Sequence, residues 1–274
     1  MSMRQKDSSS ADKAREVLEI PGLAVSWPEA GVALVEFDRP HRRNALDRPL
    51  LDGLPVLLRQ LNRRDDVRVI VLSGRGGSFC AGGDLAVIGD MQGESPSQAA
   101  GRMAREFEST AQLLDSRKIT VAAVEGPAVG AGLALALACD IRVGGATAVF
   151  AAPFIKMALV PDFGVSWLLA RTAGASAALD ITLTGRKVFS EEALSRGLLT
   201  EIAAHPLPHA LAKAEVFADA EPTVAAATKQ LIRSSLSKDF ASTLRAEIAH
   251  QLDAISSAAF HEQWSAWAAA VRSA

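Results

Sequence analysis

One stretch narrows the folds open to this chain more than any other: AVEGPAVGAGLALALACD, at positions 123–140. It is apolar and punctuated by glycine. Its order is that of the end of a buried strand, a tight turn at Gly126-Pro127, and a helix beginning near Gly130. Gly130, Ala131 and Gly132 let another group approach the main chain closely. Nothing at positions 133–139 carries a charge, so a helix there is covered on most sides. A covered helix with small residues at its start leaves backbone N–H groups free to meet an anion or a polarised oxygen. Such a segment belongs inside an α/β domain, and it offers a site made of main chain.

The rest of the chain supplies the core that would cover this segment. Of 274 residues, 49% are hydrophobic, enough for one large domain or a domain with an appendage. A formal net charge of -2, from 29 basic and 31 acidic residues, lacks the basic footprint of a nucleic-acid-binding protein. The leader MSMRQKDSSSADK has no apolar signal core, and positions 1–16 read as disordered. Glu125 and the Gly-Pro pair interrupt the longest apolar run, so no membrane span is expected. Cys80 and Cys139 stand among small apolar residues and read as buried thiols, compatible with a reducing, cytoplasmic setting.

LAVSWPEAGVALVEFDRP alternates as two strands joined near Pro28 to Gly31. Asp47 can cap a helix that starts at Arg48-Pro49 and runs to about Asn62. VRVIVLSG and ITVAAVEG read as buried strands, and GRGGSFCAGGDL between them as a tightly bent loop. Positions 91–100, with Pro96, read as a surface excursion or lid, followed by a helix over 101–117. DIRVGG, ATAVFAAP and LLTEIAA read as short strands, and Ser190 as a helix cap. Beyond Pro206 the composition turns to alanine-rich amphipathic helices, at about 207–220, 222–237, 240–257 and 259–271. The expected division is an α/β core over 17–205 and a helical region over 206–274.

Two glycine-rich turns, FCAGGDL and AVGAGLA, each follow a buried strand. If they converge, their N–H groups form a two-donor oxyanion hole for charge developing on a carbonyl oxygen; apart, each is tight packing. Neither fits the dinucleotide or phosphate-loop glycine patterns, and no HExxH, CxxC or GxSxG is present, so no metal site is expected. The five histidines lie outside both turns. Asp162, between Pro161 and Phe163-Gly164, has two readings: a helix cap, or a carboxyl in an apolar pocket whose raised pKa lets it carry a proton. Asp84 reads as a loop-fixing residue and Asp140 as structural.

Five segments taken together resemble the crotonase, or enoyl-CoA hydratase/isomerase, superfamily: RRNAL at 42–46, SFCAGGDL at 78–85, GPAVGAGLALALACD at 126–140, LVPDFGVSWLLARTAG at 159–174 and FSEEALSRGLL at 189–199. They stand in the family's order over about residues 20–265. The resemblance implies a spiral of repeated ββα units with a C-terminal helical trimerisation region, assembled as a homotrimer or a dimer of trimers. It implies an acyl-CoA substrate, in which coenzyme A enters as part of the thioester and no cofactor is permanently bound. Matching the motifs puts the oxyanion N–H groups on Gly83 and Ala131, and contacts to coenzyme A on Arg42, Arg43 and Ala81.

The departures from the family pattern carry as much. At the two positions where hydratases of this family carry glutamate, this chain has Ala134 and Phe154. Asp162 matches an aspartate found in a subset of family isomerases, similar to the ring-opening isomerase of phenylacetate breakdown. The resemblance then implies an enoyl-CoA Δ3-Δ2 isomerase, with Asp162 as catalytic base and acid and a pocket drawn from Phe79, Ala134, Phe154, Phe163 and Trp167. Another reaction of the superfamily, or an idle acyl-CoA-binding subunit, is the alternative expectation.

Overall fold

Residues of the strands alternate between two covered faces, and that pattern builds the frame on which the glycine turns hang. The computed structural model describes residues 17–90 and 93–273; the expected disordered leader lies outside the described residues. Strands β1 (Leu23–Ser26) and β2 (Val32–Phe37) form an antiparallel pair, followed by a single 3-10 turn at Pro40–Arg42. Helix α1 (Arg48–Arg63) starts where Asp47 accepts a hydrogen bond from the Leu50 N–H. Strand β3 (Val69–Gly74), helices α2 (Leu85–Asp90) and α3 (Pro96–Leu114), and strand β4 (Ile119–Val124) come next. The first glycine stretch resolves into β5 (Pro127–Val129) and α4 (Ala131–Ala138). Then follow β6 (Ile141–Gly144), β7 (Val149–Ala151), a 3-10 turn at Pro153–Met157, α5 (Val165–Ala173), α6 (Ala175–Thr184), β8 (Lys187–Phe189), α7 (Ser190–Ser195) and β9 (Glu201–Ile202). Four helices close the chain: α8 (Pro206–Ala218), α9 (Pro222–Ser235), α10 (Phe240–Ile255) and α11 (Ala258–Ser273).

Six strands form one sheet in the order β1-β2-β3-β4-β6-β9, parallel from β2 onward. A second sheet, β5-β7-β8, stands beside it. Parallel strands must be covered on both faces. On one face α1 buries Leu50, Leu54, Leu57, Leu58 and Leu61 with Ile70, Leu72 and the apolar residues of α4. On the other, Ala210, Ala214 and Ala218 of α8 pack on Val32, Val69, Val71, Val121 and Val143. Alanine at a four-residue spacing lets this helix lie close to the sheet.

Two local expectations are corrected. Positions 96–100 belong to α3 rather than to a lid, because Ser95 and Gln98 form a capping box and proline suits a first turn; of the expected lid, residues 91 and 92 lie outside the described residues. Ser190 does not cap α7: its hydroxyl donates to the Ala146 carbonyl at 2.9 Å, and the capping position is Phe189.

The C-terminal helices are tied to the core through a partly buried ionic cluster. Asp140 accepts from the Thr120 N–H at 2.8 Å and pairs with Lys229 at 2.8 Å and Arg233 at 2.7 Å. Arg233 also donates to the last carbonyls of the preceding helices, those of Leu114 and Ala138. Desolvation lowers the Lys229 pKa, and the Asp140 charge opposes that shift. Among the described residues no helix is long and apolar enough to cross a membrane.

Candidate active site

The two glycine turns meet. Cys80 donates its N–H to Pro127 at 2.9 Å and accepts from Val129 at 3.0 Å, a one-residue parallel bridge between the loops. The approach needs glycine: a Cβ on Gly132 would collide with the Cys80 carbonyl oxygen, and one on Gly82 would stand 2.7 Å from the Val129 oxygen and 3.7 Å from the Ala131 nitrogen. Gly82 and Gly130 both hold φ values, +93° and +55°, that favour glycine. A second bridge fixes the other side of the loop, where Leu46 donates to Gly82 at 2.7 Å and Asp84 donates to Leu46 at 2.9 Å. That ladder runs through the N–H groups of Leu46 and Asp84, not that of Gly83. Ala131 opens α4, where first-turn N–H groups have no partner within the helix. The Gly82 end of the first loop therefore lies close to the start of α4.

Side chains hold the loops in place. Asn44 is fully buried; its amide donates to the carbonyls of Arg75 at 3.0 Å and Ser78 at 2.6 Å, and its oxygen accepts from the Arg39 N–H at 2.8 Å. Asp84 accepts from Ala86 at 3.2 Å and pairs with Arg39 at 3.2 Å, and these bonds, the backbone one first, lower its pKa. Ala81 is half-buried and donates its N–H to the Arg43 carbonyl at 3.0 Å. Arg42 and Arg43 are exposed beside it, with Arg43 in the left-handed region at φ 51°.

Asp162 lies between the 3-10 turn and α5. The helix begins after Gly164 with no side-chain cap. The Asp162 carbonyl, not its carboxylate, accepts from Val165 at 2.9 Å. The capping reading of this side chain is thereby removed. Burial pushes the Asp162 carboxyl up to about 6; its own N–H pulls the other way, and the charge of Glu106 adds to the rise.

The pocket residues divide. Ala134 is buried on the first full turn of α4, donating to Gly130 at 3.1 Å. Phe154 is buried with its ring tip 3.7 Å from where a Cβ on Gly130 would stand, against the start of α4. Phe163 is buried at φ 49° and packs on Phe107 of α3 with ring centroids 4.5 Å apart. A bulky residue in the left-handed region is strained, and this ring contact helps to hold it. Two expected pocket residues are elsewhere. Phe79 points into the core, edge-on to Phe37 at 5.8 Å. Trp167 is exposed on the outer side of α5, with the Arg171 guanidinium 3.9 Å above its ring.

Sequence reading missed Glu106 and Thr110 of α3. Glu106 is 5% exposed, held by Arg102 at 2.9 Å and by Arg48. Thr110 is buried beside Gly164, and its hydroxyl has no hydrogen-bond partner. Both stand on the same helical face as Met103 and Phe107, where a charge is out of place on an amphipathic helix. That was the available signal.

Comparisons with known proteins agree with one another. Residues 28–269 match the family described as enoyl-CoA hydratase/isomerase. The probable enoyl-CoA hydratase EchA14 of Mycobacterium tuberculosis is 35% identical over 222 residues, 81% of this chain and 86% of that protein. The 1,2-epoxyphenylacetyl-CoA isomerase of Escherichia coli is 33% identical over 180 residues, 65% of this chain and 68% of that protein. Among solved structures, a putative enoyl-CoA hydratase from Streptomyces coelicolor superposes with a TM-score of 0.88 at 29% identity, covering 98% of this chain and 96% of the other. The fold expected from the sequence, repeated ββα units with a C-terminal helical region, is the fold found.

Proposed function

The chain belongs to the enoyl-CoA hydratase/isomerase family and is an enzyme of acyl-CoA thioesters, and from that premise we propose that it moves a β,γ double bond into conjugation with the thioester. The observation that carries this reading is Asp162: a half-buried carboxyl, free of capping duty, with a pKa pushed up to about 6. A carboxyl near that value gives up and regains a proton readily at neutral pH.

In the proposed reaction the Asp162 carboxylate takes a proton from C2. The electron pair left behind forms the enolate, whose oxygen is met by the N–H groups of Gly83 and Ala131. The same proton returns to C4 as the double bond moves to C2–C3, and the carboxylate is regenerated. One group serves both steps because no water enters the product. Coenzyme A contacts, assigned to Arg42, Arg43 and Ala81, hold the thioester in register. Ala134 and Phe154 favour this reaction over hydration, since neither side chain can activate water. The aspartate also links the chain to the ring-opening isomerase subset rather than to the two-glutamate hydratases.

Hydratase is the commoner name among the relatives, and that supports addition of water to 2-enoyl-CoA as a second reading. Purified protein supplied with 3-enoyl-CoA and with 2-enoyl-CoA separates the two. Conjugation of the first without loss of the second, abolished in Asp162→Asn, is the expected result. Unchanged isomerase turnover in that variant would sink the assignment, and turnover of neither compound would favour an idle binding subunit. We also assign a homotrimer or dimer of trimers in the cytoplasm; the exposed Leu244, Ile248 and Leu252 of α10 support the assembly, and the two buried free thiols support the compartment.

A further inference from the structure

Residues 82–84 lie beside residues 45–47 as a one-residue parallel bridge, Leu46 against Gly83. Leu46 donates its N–H to the Gly82 carbonyl at 2.7 Å and accepts from the Asp84 N–H at 2.9 Å. The peptide between Gly82 and Gly83 is trans, so its N–H points opposite to its carbonyl. With the Gly82 carbonyl turned to Leu46, the Gly83 N–H is turned away from residues 45–47. Among the described residues it has no hydrogen-bond partner. The direction of this donor is therefore set by the register of the bridge. Register is weakly specified in a short, glycine-rich pairing, so it needs support from outside the bridge.

Arg39 supplies that support, because its guanidinium reaches residues on both sides of the bridge. On one side it donates to the Ala45 carbonyl and pairs with Asp47, Nε to carboxylate, at 3.1 Å. On the other, Nη1 and Nη2 each meet one Asp84 oxygen at 3.2 Å. Both neighbours of Leu46 and the neighbour of Gly83 are thus joined through one planar, many-donor group. The second Asp84 oxygen accepts from Ala86 at 3.2 Å, which keeps the carboxylate at the end of the loop. The Arg39 and Asp84 side chains are 15% and 12% exposed, so water and salt screen the pair little. The turn carrying Arg42 and Arg43 is closed by other atoms. The Arg39 carbonyl accepts from the Arg42 and Asn44 N–H groups at 2.9 Å, and the Arg39 N–H donates to the Asn44 side chain at 2.8 Å. Those bonds use the main chain of Arg39 and do not need its guanidinium. We propose that Arg39 is a positioning residue: its guanidinium locks the register of Leu46 against Gly83, and so fixes the direction in which Gly83 presents its N–H to the thioester oxygen. The inference rests on the oxyanion role of Gly83 given above. It is independent of which group moves the proton.

The test reads the thioester carbonyl itself. Hexanoyl-CoA, saturated and labelled with carbon-13 at the carbonyl, is bound to the protein, and its C=O stretch is isolated by isotope-difference infrared spectroscopy. Donors aimed at that oxygen weaken the C=O bond and lower its frequency. The band should be lowered on binding to the wild-type protein. Arg39→Met keeps the apolar stem that lies against Gly22 and should lose a large part of that lowering. Hexanoyl-CoA should still bind it within about threefold of the wild-type Kd, and with 3-hexenoyl-CoA kcat should fall about tenfold at nearly constant KM. Arg39→Lys should not rescue either readout, since one ammonium cannot span Ala45, Asp47 and Asp84. Asp84→Asn weakens only the arm that crosses the bridge and should move the band in the same direction by less. Combined with Arg39→Met it should add nothing, because that arm is already gone. Loss of stability alone lowers the fraction of protein that binds and leaves the frequency of the bound carbonyl where it was. A wild-type band that is not lowered overturns the oxyanion reading, and the proposal falls with it. A lowered band that is unchanged in Arg39→Met and Asp84→Asn overturns the proposal and leaves that reading standing, as does a loss of hexanoyl-CoA affinity with the band unmoved. Should Arg39→Met fail to fold, Asp84→Asn decides alone. The band needs no turnover, so an isomerase-active Asp162→Asn would defeat the proton-transfer reading without touching this result.

Discussion

Replacing Asp162 by asparagine should make the protein more stable at pH 8, and the gain should vanish in acid. The carboxyl sits at about 6 in the folded chain against 3.8 for a free aspartate side chain. Between those values the folded state binds more protons than the unfolded one, so this group's contribution to stability falls as pH rises through the window. Above about pH 6 the whole cost is present. The difference of roughly two pH units corresponds to about 3 kcal/mol at 1.36 kcal/mol per unit. Asp162 is only half-buried, and solvent screening cuts this to about 1–2 kcal/mol. Asparagine keeps the shape of the protonated acid and removes the charge. Urea unfolding of both proteins at fixed protomer concentration, from pH 4 to pH 8, reads the difference directly. The stability of the variant relative to wild type should climb by about 1–2 kcal/mol across that range, most steeply between about pH 4 and 6. A flat difference, or a variant less stable at pH 8, would refute the claim that Asp162 is held ionised at a cost to the fold. Measured beside the activity assay, a gain in stability with loss of turnover would mark the strain as functional.

Other outcomes follow from the same geometry. Isomerase kcat/KM should rise with pH through a midpoint near 6, because the free enzyme must carry Asp162 ionised to accept the first proton; a stopped-flow pH series tests this. Gly132→Ala drives a methyl into the Cys80 carbonyl oxygen, so the two glycine loops must part; if they form the proposed oxyanion hole, kcat/KM should drop by about 10²-fold even in the fraction that folds. Asp140→Ala leaves the buried Lys229 and the half-buried Arg233 without their shared partner and should cost about 2 kcal/mol in chemical unfolding, less than the loss expected for a fully buried ion pair because two of the three groups are partly exposed.

Parts of this molecule could be read from residue order alone, and the reasons differ by element. The meeting of the two loops was legible because close backbone approach demands glycine, and Gly82, Gly130 and Gly132 stand where it is demanded. The C-terminal helices were legible from alanine-rich periodicity, with starts at Pro206 and Pro222 marking first turns. The start of α3 was missed because Pro96 was weighed as a loop residue, although Ser95 and Gln98 spell a capping box. The directions of Phe79 and Trp167 are not legible in the sequence, because motif proximity says nothing of side-chain direction. Phe79 turns into the core, and Trp167 lies on the outward face of α5. The Glu106 pair with Arg102, four residues away on one helix, follows from helical spacing, but its second partner Arg48 lies 58 residues away in sequence, and only the packing of α1 on α3 brings that one in.

The donors of the proposed oxyanion site are main-chain atoms on loops fixed by a sheet, a bridge and two glycines, and this has a consequence for how such a chain can change over time. No single side-chain replacement at Gly83 or Ala131 deletes an N–H group, except one to proline. The part that stabilises charge is thus insulated from ordinary mutation, while the part that moves protons is not. Glutamate can be absent at 134 and 154, a carboxyl can be recruited at 162, and the inherited cradle still presents the same two hydrogens. Novelty in this architecture therefore comes cheaply, by relocating one acid around a fixed electrostatic anchor, and a descendant's reaction is written in its side chains rather than in its backbone.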